Sequence, residues 1–219
     1  MLKIVVGNKN YSSWSMRGFL MVRKTRQPFE EVVVGLDQPD TAEKIKKYSP
    51  SGRVPVVISG DVTVWDSLAI GEYLAETYPE ANLWPKDAAA RAVARSISAE
   101  MHSGFVALRT HCPMKMKERI QQDTPQEALA DADRVREIWT STRGRYGGSG
   151  GPFLFGAFTI ADAMYAPVVS RFRTYGLPLE GAAAAYAEAV WNDPDFQTWY
   201  EAARSETLRL PRYENPKAT

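Results

Sequence analysis

The stretch Ser51-Gly52-Arg53-Val54-Pro55-Val56-Val57-Ile58 restricts the fold more than any other part of the chain. A glycine-containing turn runs into a short β-branched apolar segment with a proline near its start. Proline offers no N–H to a sheet ladder, so it belongs at a strand's first residue, on an edge or at a bulge. The segment admits two conformations of Pro55. A trans proline at a strand start is the ordinary one. A cis Val54–Pro55 bond, a state nearly confined to X-Pro and typical of tight turns, would turn the N–H and C=O of Val54 outward, where an extended peptide could pair with them.

The pattern on either side places this stretch in a small mixed unit. Leu2 to Val6 reads as a buried strand. Trp14 to Lys24 reads as a helix, with Arg17, Arg23 and Lys24 on its outside. Phe29 to Val34 reads as a second strand, and Asp40-Thr41-Ala42-Glu43 as a capping box opening a short helix. Val54 to Ile58 and Val62 to Trp65 form a hairpin about Ser59-Gly60-Asp61. Asp66-Ser67 then caps a helix with Ile70, Tyr73 and Leu74 on one face, ending before Tyr78-Pro79. The order β-α-β-α-β-β-α occupies residues 1–78.

After a Pro-containing linker, residues 79–86, the strand signal disappears. Val93, Ile97, Met101, Phe105 and Leu108 mark one helix face, and Leu129, Ala132, Val135 and Trp139 a second. Gly147 to Gly151 is a break. Thr159-Ile160-Ala161-Asp162 is another capping box, opening a helix in which Pro167 predicts a kink or local unwinding. Asn192-Asp193-Pro194 starts a last helix with Phe196, Trp199 and Tyr200 on its buried side. Residues 87–219 thus form an all-helical unit.

Composition excludes several classes of partner. Lys+Arg 27 against Asp+Glu 26 leaves no charged footprint for nucleic acid or an anionic membrane. A single cysteine, Cys112, forms no internal disulfide, which fits a reducing compartment. Two histidines and that cysteine fall short of a four-ligand zinc site, so no metal is expected. Met1 to Gly7 is too short for a signal peptide, and no run approaches the ~18 apolar residues of a membrane helix. The expectation is a cytoplasmic protein.

Four features in order resemble the glutathione S-transferase family over nearly the whole chain: the serine-bearing loop Asn10-Tyr11-Ser12-Ser13-Trp14-Ser15-Met16-Arg17; Ser49-Pro50-Ser51-Gly52-Arg53-Val54-Pro55-Val56; Trp65-Asp66-Ser67-Leu68-Ala69-Ile70; and Phe158-Thr159-Ile160-Ala161-Asp162-Ala163. The loop most resembles the serine classes, zeta and theta. The resemblance implies an α/β plus all-α architecture, with a thioredoxin-like N-terminal domain that holds glutathione and a helical C-terminal domain that forms the second-substrate pocket. It also implies a cis Pro55, with the Val54 backbone pairing to the cysteinyl part of glutathione, and a homodimer.

The chemistry follows from glutathione itself. Its thiol, like that of free cysteine, ionises near about 8.5, and the thiolate is the nucleophile. A helix N-terminus and a hydroxyl at its mouth would both favour the anion. Matching the zeta pattern picks Ser12, matching the theta pattern picks Ser13, and Tyr11 or Ser15 remain further possibilities; taken alone, these serines read as helix caps. Ser67 suits the γ-glutamyl carboxylate and Asp66 its ammonium group, beside the plainer alternative of an N-cap pair. Arg53 is a candidate for the glycyl carboxylate or a solvated turn residue.

Outside that loop the residues read as structural. Asp162 with Thr159 supports the fold, and His102 and His111 read as surface or packing residues. Phe105, Leu108, Met114 and Met116 read as core before pocket, and Lys115, Lys117 and Arg119 as a solvated face.

The expected activity is that of a glutathione transferase acting on a small hydrophobic electrophile. A glutathione-dependent isomerase of the maleylacetoacetate type, needing basic residues such as Arg109, Arg171 or Arg173 in the helical pocket, is one alternative. A non-catalytic ligand- or partner-binding protein on the same fold is another.

Overall fold

The computed structural model describes residues 1–214; positions 215–219, the end of the expected helical unit, lie outside the described residues. The chain begins with β1 (Leu2–Val6), α1 (Ser13–Lys24), β2 (Phe29–Val33), α2 (Thr41–Lys46), β3 (Val56–Ser59), β4 (Val62–Trp65) and α3 (Ser67–Thr77). The strands form one sheet in the order β2-β1-β3-β4, with β1 parallel to β2 and the β1–β3 and β3–β4 pairs antiparallel. Then come α4 (Ala88–Ser103), α5 (Val106–His111), α6 (Gln126–Tyr146), α7 (Ile160–Tyr175), α8 (Gly181–Trp191), α9 (Pro194–Ser205) and a last turn, α10 (Pro211–Glu214). This is a thioredoxin-like unit followed by a helical one; α8 and α10 add to the elements expected.

Both faces of β1 are largely covered, so its sequence runs apolar apart from the half-buried Lys3, which pairs with Glu30 at 3.2 Å. Leu2, Ile4 and Val6 join the core shared with α1, α3 and the helical half, while Val5 packs with Ile45 of α2, Val34 and Val56. The Val54–Pro55 peptide is cis, and the ladder begins one residue on at Val56, leaving Val54 outside it. Gly18 of α1 lets the helix approach this point: a Cβ there would stand 3.0 Å from Pro55 Cβ and Cγ.

α1 departs from expectation in its outer face, because it has none. It packs against β1, α3, α7 and α9, and residues Ser15 to Val22 are all buried. Arg17, expected outside, is fully buried at 0% exposure. The cationic face is confined to the last turn, where Lys24 bridges Asp193 (2.6 Å) and Asp195 (2.9 Å) and Arg23 meets Asp195 at 2.9 Å, tying α1 to the start of α9.

Other differences have local causes. Asp40 makes no capping hydrogen bond: its φ of −100° and ψ of 3° are not the extended conformation that aims a cap oxygen at the helix N–H groups, and its carboxylate pairs with Lys44 at 2.7 Å instead. The single face from Val93 to Leu108 is two helices. The chain turns at Gly104, where a Cβ would meet the Glu100 carbonyl oxygen at 2.7 Å, and at Phe105, whose φ is 56°. α7 stays helical through Pro167 without unwinding, and 15 of its 16 residues are buried, so packing holds the turn that proline leaves short of a hydrogen bond. Lys115 is buried and Lys117 half-buried, so the basic run is not a solvated face.

The Thr159–Asp162 capping box is present. The Asp162 carboxylate accepts from the Thr159 N–H (2.7 Å), the Thr159 hydroxyl (2.9 Å) and the Leu154 N–H (3.0 Å). It is fully buried, and burial pushes its ionisation up to about 6 against those donors. The two aspartates should therefore behave differently in urea unfolding. Asp162→Ala, which orphans buried N–H groups, lowers stability by about 2–4 kcal/mol. Asp40→Ala, which removes only an exposed ion pair, stays within about 0.5 kcal/mol of the parent.

Candidate active site

The N-terminus of α1, the Val54–Pro55 turn and the N-terminus of α3 meet the end of α4 and the start of α5. Two adjoining cavities lie there. One of about 590 Å³ is bordered by Ser12, Ser13, Val106, Arg109, Arg171 and Tyr213, among others. The other, about 670 Å³, is bordered by Ser51, Pro55, Trp65, Asp66, Ser67 and His102. Trp14, Arg53 and Val54 border both.

Ser12 caps α1: its Oγ accepts from the Ser15 N–H at 3.4 Å, and its hydroxyl donates to Ser15 Oγ at 2.8 Å. Ser15 Oγ in turn accepts from the Gly7 N–H at 2.9 Å. Ser13 is the first residue of α1 and also borders the cavity. Tyr11 borders this cavity too, but its hydroxyl is engaged, donating to Glu214 at 2.7 Å, and burial pushes its ionisation up to about 12.

Across the site, Asp66 has a φ of 73° and caps α3, its Oδ1 accepting from the Leu68 and Ala69 N–H groups at 2.9 and 3.4 Å. Its Oδ2 lies 3.2 Å from His102 Nε2. The Ser67 hydroxyl is buried with no hydrogen-bond partner. A buried unpaired hydroxyl costs about 1–3 kcal/mol, and beside the N-terminus of α3 it is suited to an anionic ligand group. Arg53 is exposed and borders both cavities.

Of the basic residues considered for the helical pocket, Arg109 and Arg171 border the first cavity, and Arg17, expected outside, lies buried near them. Arg17 Nε donates to the Met164 carbonyl at 3.1 Å, and its guanidinium lies 4.3 Å from the centre of the Trp14 ring; Nη1 and Nη2 have no partner. Arg171, 3% exposed, donates from Nε to the Cys112 carbonyl at 2.9 Å and leaves Nη1 without a partner. Arg109 lies 5.5 Å from the Trp14 ring. Burial, then the neighbouring Arg171 and Arg109, push Arg17 down to about 9, and burial with Arg109 pushes Arg171 down to about 10. Arg173 is elsewhere, 4.1 Å from the Trp191 ring.

Several residues read as structural from sequence keep that role. Phe105, Leu108, Met114 and Met116 are buried in the core and border neither cavity. The Cys112 thiol is buried, and burial pushes its ionisation up. His102 is different: it touches Asp66, and its ring meets Trp14 edge-on at 5.1 Å. Its place depends on how α4 docks against the sheet domain, which no local pattern encodes. Arg17 stands among Met16, Gly18, Phe19, Leu20, Met21 and Val22, with no polar neighbour on the chain beside it.

Known proteins share this two-part fold. Residues 11–77 match the family model for the glutathione S-transferase N-terminal domain, and residues 88–202 that for the C-terminal domain. Among curated relatives, a probable maleylacetoacetate isomerase of Caenorhabditis elegans is 36% identical over 96 residues, 44% of each chain. The maleylacetoacetate isomerase of Rattus norvegicus is 29% identical over 140 residues, 63% of this chain and 62% of that one. The matched stretches span less than two thirds of either relative. Two solved structures share the fold. One is a glutathione S-transferase from the Antarctic clam Laternula elliptica, with a TM-score of 0.73, 22% identity and 94% of each chain covered. The other is a glutathione transferase homolog from Burkholderia with bound glutathione, with a TM-score of 0.71, 24% identity, and 94% of this chain and 99% of that one covered. With both halves matched, and the C-terminal match alone covering more than half of its length, the chain belongs to the glutathione S-transferase family.

Proposed function

We propose that the protein is a glutathione transferase in which residues 1–78 hold glutathione and residues 87–219 form the pocket for the electrophile. The observation that carries this reading is the convergence of the Ser12–Ser13 step, the Val54–Pro55 turn and the orphaned Ser67 hydroxyl on two cavities that share a wall. Ser67 and the first N–H groups of α3 receive the γ-glutamyl carboxylate. Asp66 takes the ammonium group, the Val54 backbone pairs with the cysteinyl residue, and Arg53 meets the glycyl carboxylate. The relative from Burkholderia, solved with glutathione, supports the choice of ligand. Family membership supports a cytoplasmic homodimer, which light scattering tests.

Ser12 supplies the hydroxyl for the thiolate. A pair of serine hydroxyls 2.8 Å apart can run in either direction. When the Ser12 hydroxyl turns to donate a hydrogen bond to the thiolate, Ser15 donates to Ser12 Oγ in its place, and the Gly7 N–H continues to serve Ser15. Such a chain strengthens the terminal donor. Ultraviolet titration of the bound thiolate tests this. Ser12→Ala raises the thiol pKa by about 1 unit or more, worth about 1.4 kcal/mol, and Ser13→Ala leaves it in place. A raised pKa in Ser13→Ala alone assigns the hydroxyl to Ser13. No glutathione binding at millimolar concentration removes the enzyme reading.

A second reading rests on the arginines. Arg109 and Arg171 border the cavity beside Ser12, and a buried cation without a counter-charge is costly. An electrophile carrying a carboxylate would supply that charge, as in an isomerase of the maleylacetoacetate type, the activity for which two relatives are named. Arg109→Gln should then raise KM for a maleyl substrate about tenfold, the worth of one charge-assisted hydrogen bond, and leave a neutral electrophile within about twofold. Equal effects on both substrates remove this reading.

Arg17 gives a separate prediction. Arg17→Met removes the buried cation and should raise stability to urea by about 1 kcal/mol or more.

A further inference from the structure

The serine-bearing loop is held by a carboxylate that is remote in sequence. Glu206 follows α9. Its Oε1 accepts from Asn8 Nδ2 at 3.0 Å and from the Lys9 N–H at 3.1 Å, and its Oε2 accepts from the Asn10 N–H at 3.0 Å. The Glu206 carbonyl accepts from Lys117 Nζ, and the Lys117 N–H donates to Asn10 Oδ1 at 3.1 Å. Trp199 Nε1 donates to the Lys9 carbonyl at 2.9 Å. Within the loop, the Asn8 carbonyl accepts from the Tyr11 and Ser12 N–H groups at 3.3 and 2.8 Å. The N–H groups of residues 9 and 10 therefore point to Glu206, and those of residues 11 and 12 point back to Asn8.

The Lys9 side chain does not draw Glu206 to the loop. The Lys9 ammonium is paired with Glu31 and lies 4.6 and 4.8 Å from the Phe19 and Trp199 rings. The carboxylate is bound by two successive main-chain N–H groups and an amide side chain, the cradle that backbone amides make for an anion. Here the anion belongs to the protein, and what it fixes is the turn that ends at Ser12. A second hold lies further along the same segment: Tyr213 stacks on Tyr11 with centroids 5.4 Å apart and planes 7° from parallel. A reactive hydroxyl must be held to about half an ångström by groups behind it. Those groups here come from the far end of the chain.

We propose that Glu206 is a positioning residue that sets the hydroxyl of the thiol-activating serine through residues 8–10. This rests on the reading that Ser12 activates glutathione, and the test separates the two. In the full-length protein, the thiol pKa of bound glutathione is measured for the parent, Ser12→Ala, Glu206→Ala, Glu206→Gln and the Ser12→Ala/Glu206→Ala double variant. Steady-state kinetics and unfolding midpoints are measured alongside.

Glu206→Ala should raise the thiol pKa by about half the Ser12→Ala shift or more and lower kcat about tenfold, with KM for glutathione within about twofold, because misplacement by about an ångström acts on the reacting atom and not on the tripeptide's other anchors. Glu206→Gln, which keeps one acceptor oxygen and folds if the alanine variant does not, should shift the pKa in the same direction by less. The double variant should titrate as Ser12→Ala does, since a residue acting only through Ser12 adds nothing once that hydroxyl is gone. A parental thiol pKa in both Glu206 variants overturns the proposal, even if their unfolding midpoints fall. A further shift in the double variant overturns it as well. If Ser12→Ala itself leaves the pKa unchanged, the reading beneath it fails first and the proposal with it.

Discussion

Helix α1 is enclosed by the sheet on one side and by α3, α7 and α9 on the others, and the site inherits its form from that enclosure. A helix buried on all sides must be apolar all round. α1 nearly is, with Gly18 drawing it onto Pro55 and Phe19, Leu20, Met21 and Val22 filling the shared core. Its polar groups are pushed to its two ends. At the C-terminal end Arg23 and Lys24 meet Asp193 and Asp195. At the N-terminal end Ser12 and Ser15 close the first turn, where the unpaired N–H groups and the positive end of the dipole are. Chemistry that needs an anion near this helix has one place to go.

Arg17 is the exception within the enclosure. Its guanidinium is desolvated, uses one nitrogen on the Met164 carbonyl, and lies against the face of Trp14. Cation–π contact of this kind is worth roughly 0.5–2 kcal/mol, less than the several kcal/mol that burying a charge costs. The balance is unfavourable for the isolated fold. Arg17 is fully buried and borders neither cavity, so that cost falls on the fold itself.

The sequence made some of these features readable and hid others, and the division follows distance along the chain. Pro55 before a β-branched run, Asp66-Ser67 before a helix and Thr159 with Asp162 are each complete within a few residues, so composition and spacing reveal them. Asp40 shows the limit even there, since the right residue types formed no cap when the backbone was not extended. The break at Gly104 was written locally but was overrun by an apolar period that continued across it. His102 against Asp66, Glu206 against residues 8–10, and Arg171 beside the serines are all products of docking between the two halves. The burial of Arg17 has the same origin, because α1 loses its solvent face only when α7 and α9 pack on it.

Trp14 has one further consequence. A single indole borders the cavity with Ser67 and His102 and the cavity with Arg109 and Arg171, and it carries Arg17 near its face. It shares that double border with Arg53 and Val54, and its own part in it is a side chain with two torsions. A change in the tilt of the ring alters the border of both chambers at once. The shapes of the two chambers are therefore linked through the rotamer of Trp14.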